Sequence, residues 1–201
     1  MSIAFVFSGL MAQAQIGSSP WKFSNPTQFG FTVLDVSFID NNNGIAISYN
    51  GGIAKTTDAG VNWTYGTFTF TDKDNMIQKA DFNTVQFVTP TIVYAVGYNG
   101  LFAKSTDAGL NWTAMNNPLF SEGKIIYGLH FINKDVGYIG GQPVGTDPAP
   151  KLYFTKNGGA TWDSIAAPLG PKTRIGYVAN PTMPPVITDV NAGEKEIHRI
   201  M

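Results

Sequence analysis

The chain has 201 residues with 13 basic and 14 acidic side chains, so its charge balance gives no reason to expect nucleic acid or an anionic membrane surface as a partner. Hydrophobic residues make up 43% of the chain, and 14 Phe, 8 Tyr and 4 Trp can build a substantial core. The absence of cysteine excludes disulfides, zinc sites with thiolate ligands and a cysteine nucleophile.

The N-terminus has the pattern of an export signal. Residues 3–12 are an apolar run of ten, the length of a signal-peptide core and too short to span a bilayer. Ala12-Gln13-Ala14 matches a cleavage site, so residues 1–14 are predicted to be removed, leaving Gln15 first. No Lys or Arg precedes the run, and a buried N-terminal strand is the alternative. We expect a periplasmic, cell-surface or extracellular protein without a membrane span.

An octapeptide recurs three times. It reads TTDAGVNW at residues 56–63, STDAGLNW at 105–112 and, more loosely, TKNGGATW at 155–162, so the closing tryptophans are 49 and 50 residues apart. Two apolar segments precede each copy, and Asn50-Gly51 and Asn99-Gly100 supply the pair that a tight hairpin turn prefers, because both positions need positive φ. Four short strands per period of roughly 40–50 residues are typical of a β-propeller blade.

The predicted fold is therefore all-β, with blades of four antiparallel strands and no helix of consequence. Residues 15–201 form a partial propeller with complete units at about 30–64, 81–113 and 126–163 and an incomplete unit at 174–201. In the incomplete unit, residues 186–188 and 197–199 are predicted strands. Three complete blades and part of a fourth follow.

The octapeptide itself predicts a turn held by hydrogen bonds. Its Asp can accept bonds from the N–H groups just after it, and its Ser or Thr hydroxyl can do so more weakly. The Gly suits a positive φ, and the Trp can cover the hairpin and fill space between sheets. The alternative, an active-site acid, needs a carboxylate once or twice rather than in every blade. The residues assigned to this structural role are Thr56, Asp58, Gly60, Trp63, Ser105, Asp107, Gly109, Trp112, Thr155, Asn157, Gly159 and Trp162.

The pattern S/T-x-D-x-G-x-x-W resembles the Asp-box, or bacterial neuraminidase repeat. The longer unit is similar to the repeat of photosystem II stability/assembly factor-like propellers, over about residues 30–163. The same box is found in sialidases, xyloglucan hydrolases, sortilin-like receptors and assembly factors, so the resemblance implies a fold rather than a function. It also implies that the box turns lie on the face away from the ligand. Asn157 replaces the Asp of the third copy, which predicts a less tightly held turn.

Two further expectations come from this resemblance. Such propellers usually have more than four blades, and an N-terminal strand completes the last one, a role that Ser19-Pro20-Trp21 fits. The chain is thus expected to be the N-terminal portion of a longer protein, with a closed four-bladed ring as the alternative. Sialidases bind their substrate through three arginines, and assembly factors carry an arginine-rich patch, whereas this chain contains only Arg174 and Arg199.

No catalytic, cofactor-binding or metal-binding residue is predicted. His130 and His198 lack the spacing of a metal site or a catalytic triad, and the loop that begins at Asp72 lacks the Gly and Glu of a calcium loop. A carboxylate pair for glycoside hydrolysis stays open, because the pairing is spatial. Its candidates are Asp35, Asp81 and Asp147.

Recognition is expected opposite the boxes, where the units differ most. Residues 142–150 replace the short Asn-Gly turn, and residues 64–79 and 115–124 cross between units. Ordinary loop variation is the alternative. The candidate ligand face consists of Tyr49, Tyr65, Phe68, Tyr98 and Asp147. The sequence thus predicts an exported, non-enzymatic module, without a cofactor, that binds or assembles a protein or glycan partner. Part of the catalytic propeller of a secreted glycoside hydrolase, xyloglucanase-like or sialidase-like, is the alternative.

Overall fold

The structure, a computed structural model, describes residues 32–142, 144, 151–166, 173–176, 186–189 and 197–199. These residues form three four-stranded antiparallel sheets, one three-stranded sheet and a two-stranded hairpin. The predicted all-β fold, with three complete blades and part of a fourth, is confirmed. Within this part of the chain, no helix has the length and apolar character needed to cross a bilayer. The export signal, Trp21 and Asp147 lie outside the described residues.

Each complete blade contains four strands in sequence order. Blade 1 contains β1 (Val33–Phe38), β2 (Gly44–Ser48), β3 (Gly52–Thr56) and β4 (Thr64–Thr67). The hairpin β5 (Thr69–Thr71) and β6 (Ile77–Lys79) follows, then blade 2 with β7 (Phe82–Phe87), β8 (Val93–Gly97), β9 (Phe102–Ser105) and β10 (Thr113–Ala114). Blade 3 contains β11 (Ile126–Phe131), β12 (Gly137–Gly141), β13 (Lys151–Thr155) and β14 (Asp163–Ala166). The three-stranded sheet contains β15 (Thr173–Gly176), β16 (Val186–Asp189) and β17 (Ile197–Arg199), which include both strands predicted there.

The tight turns between second and third strands form as predicted. Asn50 and Gly51 have φ of 58° and 78°, and the N–H of Gly52 donates to the carbonyl of Tyr49 at 3.2 Å. The turn at Tyr98–Gly100 repeats this geometry, with φ of 55° at Asn99. The same chemistry in two consecutive units therefore gives the same hairpin.

The crossings between blades contain secondary structure that the sequence does not predict. Between blades 1 and 2, β5 and β6 form a hairpin whose Phe70 is buried in the core, and the Asp72 side chain accepts N–H bonds from Asp74 and Met76 at 2.9 Å. Asp72 thus holds a hairpin turn. The crossing from blade 2 to blade 3 contains a single 3₁₀ turn, Phe120–Glu122.

The hydrophobic core lies between neighbouring sheets. One buried cluster joins Ile45 and Ile47 of blade 1 to Val85 and Phe87 of blade 2. A second cluster joins the other face of blade 2 to blade 3 and includes Tyr94, Val96, Phe102, Leu129 and Phe131. Each blade is therefore stabilised mainly by burying apolar area against its neighbours.

Side chains of the innermost strands link each blade to the next. Asp35 Oδ2 and Ser37 Oγ on β1 accept the N–H groups of Val85 and Phe87 on β7, each at 2.9 Å. Gln86 on β7 repeats this, because its Oε1 accepts the N–H of Phe131 on β11 at 2.7 Å. These bonds satisfy backbone groups at sheet edges, which have no strand partner. They hold the ends of adjacent blades in register.

Candidate binding face

The two ends of the blades carry different turns. In each complete blade, the N–H of a residue in the turn between third and fourth strands donates to a carbonyl in the turn between first and second strands: Ala59 to Asn42, Ala108 to Thr91 and Gly158 to Asp135. The opposite end carries the Asn-Gly turns and the crossings, where the N–H of Gly51 donates to the carbonyl of Ala80 at 2.7 Å. We call these ends the box face and the hairpin-turn face.

In the box turn of blade 2, a buried hydroxyl forms the centre of the hydrogen bonding. Ser105 Oγ donates to Asp107 Oδ1 at 2.8 Å and accepts the N–H of Gly109 at 2.8 Å. Asp107 also accepts bonds from the backbone and side-chain N–H groups of Asn111, at 2.8 and 2.7 Å. The Asn111 backbone N–H, the Asn111 side chain and the Ser105 hydroxyl, in that order, lower the pKa of Asp107 to about 2.

The first and third box turns repeat this arrangement. Thr56 Oγ1 donates to Asp58 Oδ1, and Thr155 Oγ1 donates to Asn157 Oδ1, both at 2.9 Å. The bond lengths around the hydroxyl do not distinguish the third turn. It differs in the neutral amide of Asn157 and in Trp162, whose buried Nε1 has no hydrogen-bond partner among the described residues, whereas Trp63 Nε1 donates to the carbonyl of Gly60. The hydroxyl-bearing residues are each about 1% exposed. The hydroxyl, and not the carboxylate that the sequence analysis ranks first, therefore satisfies the buried N–H of the turn.

The Gly and Trp of the box contact the core between blades. Gly109 has φ of +84°, and a Cβ there would overlap the side chain of Ile45 in blade 1. Trp112 Nε1 donates to the carbonyl of Gly109 at 3.1 Å, and the ring packs against the first core cluster. Trp112 precedes β10 rather than lying in it. Every box residue in this blade thus has a structural contact.

On the hairpin-turn face, two tyrosines from consecutive blades lie together. Tyr49 and Tyr98 occupy the same position of the repeated turn, and their ring centroids are 6.2 Å apart at an interplanar angle of 66°. Asp81 lies between the two turns: its Oδ1 accepts the N–H of Asn50 at 2.7 Å, and its carbonyl accepts the N–H of Tyr98 at 2.9 Å. This arrangement presents two phenols and a carboxylate on one surface.

The electrostatics of Tyr98 show which groups surround it. Charge interaction with Tyr49 is the largest cause of a raised pKa at Tyr98, followed by partial burial, a hydrogen bond with Tyr49, and the charges of Tyr127 and Asp81. Tyr127 lies near the start of the innermost strand of blade 3 and is 44% exposed, while Tyr49 is 37% exposed. The N–H of Gly100 donates to the carbonyl of Lys124 at 2.6 Å, so the start of blade 3 lies beside the turn that carries Tyr98. No spacing in the sequence indicates Tyr127.

Two further predicted ligand-face residues lie in or just after β4, and the N–H of the second, Phe68, donates to the carbonyl of Gly51 in the Asn-Gly turn at 2.9 Å. Tyr65 lines a groove between β4 and the box turn of blade 2, together with Leu110 and Trp112. Phe68 stacks on Phe82, with centroids 6.4 Å apart, and packs against the first core cluster. Asp147 is outside the described residues. Among the four described residues of the predicted set, the structure brings Tyr49 and Tyr98 into ring contact.

Titratable groups elsewhere are held by the fold. Burial raises the pKa of Asp35, whose two oxygens accept the N–H groups of Val36 and Val85 at 2.9 Å. Burial lowers the pKa of His130, which is 7% exposed on β11. Among the described residues, no group of three or more His, Asp or Glu side chains is arranged to hold a metal ion.

Comparisons with known proteins place this geometry in a family. The model of the family described as photosynthesis system II assembly factor YCF48 matches residues 13–116, slightly more than half of the chain. No curated protein matches the chain.

Solved structures with the same fold include assembly factors and glycoside hydrolases. YCF48 bound to D1 peptide is 21% identical, with a TM-score of 0.56, and the match covers 84% of this chain and 55% of that one. YCF48 from Cyanidioschyzon merolae is 16% identical, with a TM-score of 0.52, and the match covers 85% of this chain and 57% of that one. An ancestral GH74 enzyme is 18% identical (TM-score 0.59, 80% and 24%), and the GH74 enzyme of Niastella koreensis is 20% identical (TM-score 0.56, 82% and 28%). The chain thus spans little more than half the length of the YCF48 structures that it matches.

Proposed function

Because the chain belongs to the family of photosynthesis system II assembly factor YCF48, we propose that it is an exported, non-enzymatic propeller that binds a protein partner on its hairpin-turn face. The observation that carries the proposal is the contact between Tyr49 and Tyr98 on that face. Half-exposed aromatic rings that are held by rigid turns lose little entropy on binding, and Tyr is enriched where binding energy concentrates.

The choice of face rests on two further observations. The box face is occupied by hydrogen bonds internal to the turns, whereas the hairpin-turn face carries the crossings, which differ in structure from one unit to the next. Variable loops on a repeated scaffold are the usual place for recognition. The similar YCF48 structure contains a D1 peptide, so a propeller of this fold can accommodate a peptide.

The proposal is tested with the exported, full-length protein. Co-exported proteins are captured, each candidate is titrated separately, and Tyr49→Ala and Tyr98→Ala are compared with the wild type. Each variant is expected to weaken binding by about tenfold or more, as for a central aromatic at an interface. Asp58→Ala, on the box face, and Tyr65→Ala, in the groove beside β4, are the controls that keep wild-type affinity. A partner that is lost only with Asp58→Ala would place the site on the box face.

A glycan is the alternative partner for the same face, because tyrosine rings also stack on sugar rings. Titrating a panel of surface glycans against the same variants distinguishes a glycan partner from a protein partner. Binding of a glycan, and of no protein, with loss in Tyr49→Ala would replace the protein partner by a carbohydrate.

Glycoside hydrolysis is the second candidate function. The burial that raises the pKa of Asp35 is what a general acid needs, and the fold is shared with GH74 enzymes. Both Asp35 oxygens already accept backbone N–H groups, which favours a structural role. Release of reducing sugar from xyloglucan by the wild type, abolished in Asp35→Asn or Asp81→Asn, would establish the enzyme and reject the binding module.

A further inference from the structure

We propose that Tyr49, Tyr98, Tyr127 and Asp81 form a receptor for a cationic side chain, a lysine or arginine of the protein partner. This inference rests on the proposed function, since it states the chemistry of the partner at the same face. We call these four residues the tyrosine–aspartate cluster.

The geometry of the rings suits a cation. Tyr49 and Tyr98 meet edge to face, and Tyr49 is 37% exposed. Tyr127 is 44% exposed at the start of blade 3, which the hydrogen bond from the Gly100 N–H to the Lys124 carbonyl holds beside the Tyr98 turn. Each ring face attracts an ammonium or guanidinium group within about 6 Å. Several rings from separate blades can surround such a group.

Asp81 gives the cluster a negative charge, which attracts a cation. Asp81 is half-buried and forms no salt bridge with any residue that the structure describes. Two lysines of the crossings pair with other carboxylates: Lys73 with Asp74 at 2.8 Å, and Lys124 with Glu122 at 3.7 Å. Lys79 precedes Asp81 by two residues and forms no ion pair with it. Asp81 Oδ1 accepts the Asn50 N–H, so the charge of Asp81 has no cationic partner in the part of the chain that the structure describes.

The protein already pairs ammonium groups with aromatic rings elsewhere in the fold. The ammonium of Lys104 lies 5.3 Å from the ring centroid of Tyr94, and that of Lys156 lies 5.6 Å from the ring of Phe154. The cluster presents comparable ring faces together with a carboxylate, but on an exposed surface. An acidic peptide carries the same negative charge as Asp81 and would be repelled by it.

The test uses the full chain and three capped peptides, Ac-Gly-X-Gly-NH₂, in which X is lysine, norleucine or glutamate. Norleucine has the aliphatic stem of lysine without the charge, so it separates charge from apolar contact. Carbon-13 labelled tyrosines report binding at Tyr49, Tyr98 and Tyr127 by NMR. The lysine peptide is expected to shift these three resonances and to bind about two- to fivefold more tightly than the norleucine peptide. Raising the salt to about 0.5 M should reduce that preference.

Two variants address the roles of charge and ring. Asp81→Asn keeps an oxygen for the Asn50 N–H but removes the charge. It is expected to weaken binding of the lysine peptide about two- to fivefold and to leave binding of the norleucine peptide unchanged. Tyr98→Phe keeps a ring and should retain the preference for lysine, whereas Tyr98→Leu should reduce it. Unchanged spectra of the core aromatics, such as Phe102, show that each variant is folded.

Three outcomes would overturn the inference. They are equal binding of the lysine and norleucine peptides, tighter binding of the glutamate peptide, and no shift of the three tyrosines with any peptide. A different result separates this inference from the proposed function. If binding of a protein partner requires Tyr49 and Tyr98 but does not require the partner's lysines and arginines, the chain is a binding module and the cationic receptor is rejected.

Discussion

The buried hydroxyl of the box turn gives the sharpest test of how a blade is held together. In Ser105→Ala the N–H of Gly109 loses its acceptor, and the Asp107 carboxylate loses one donor. An unsatisfied buried N–H costs about 1–3 kcal/mol, and a lost hydrogen bond adds about 0.5–1.5 kcal/mol. We expect the free energy of unfolding to fall by about 2–4 kcal/mol.

Two matched variants separate the hydroxyl from the carboxylate. Ser105→Thr should be nearly neutral, because Thr56 and Thr155 make the same bonds at this position in blades 1 and 3. Asp107→Ala removes bonds to Asn111, which is exposed and can bond to water instead, so it should cost only about 1–2 kcal/mol.

Urea unfolding of the full chain, followed by tryptophan fluorescence, measures these differences. A loss of about 2 kcal/mol lowers the midpoint by about 1 M urea. This prediction is refuted if Ser105→Ala has the same urea midpoint as Ser105→Thr and the wild type while Asp107→Ala has a lower one. The carboxylate, and not the buried hydroxyl, would then hold the turn.

Three further predictions concern the turns and the N-terminus. Asn157→Ala should cost less than Asp107→Ala in the same urea assay, because a neutral amide is a weaker acceptor than a carboxylate; equal losses would contradict this. The folded-state pKa of Asp107, about 2, lies below its unfolded value near 3.9, so its contribution to stability is complete above about pH 4 and is lost as the pH falls toward 2. Asp107→Asn should remove that part of the acid sensitivity, and a melting profile from pH 2 to 5 that is unchanged in the variant would refute the assignment. The exported protein should begin at Gln15 by mass spectrometry, and an intact Met1 on a cytoplasmic protein would reject the export signal.

The candidate face was predictable in part. The repeated Tyr-Asn-Gly turn places Tyr49 and Tyr98 at equivalent positions, and equivalence within a repeat is visible in the sequence. Phe68 could not be assigned in the same way, because it lies in a crossing without a repeated counterpart, and Tyr65 lies on β4 rather than in the crossing that the sequence predicts for residues 64–79. Whether a crossing residue packs on Phe82 or faces solvent depends on the hairpin β5–β6, which bends the chain back over the core.

The sequence by itself determined the repeat, the strand order within each unit and the chemistry of both turns. These are local properties: an Asn-Gly pair or a hydroxyl four residues before a glycine acts on backbone groups within the same few residues. Burial is different, as Val36 and Val85 show. They occupy the same position of consecutive units, yet Val36 is 51% exposed and Val85 is 4% exposed. Val85 packs against blade 1, whereas no described blade precedes Val36. Only the tertiary structure decided such differences, and with them the position of Asp81 between the two tyrosine turns, because a propeller builds its core and its faces from contacts between blades about 50 residues apart.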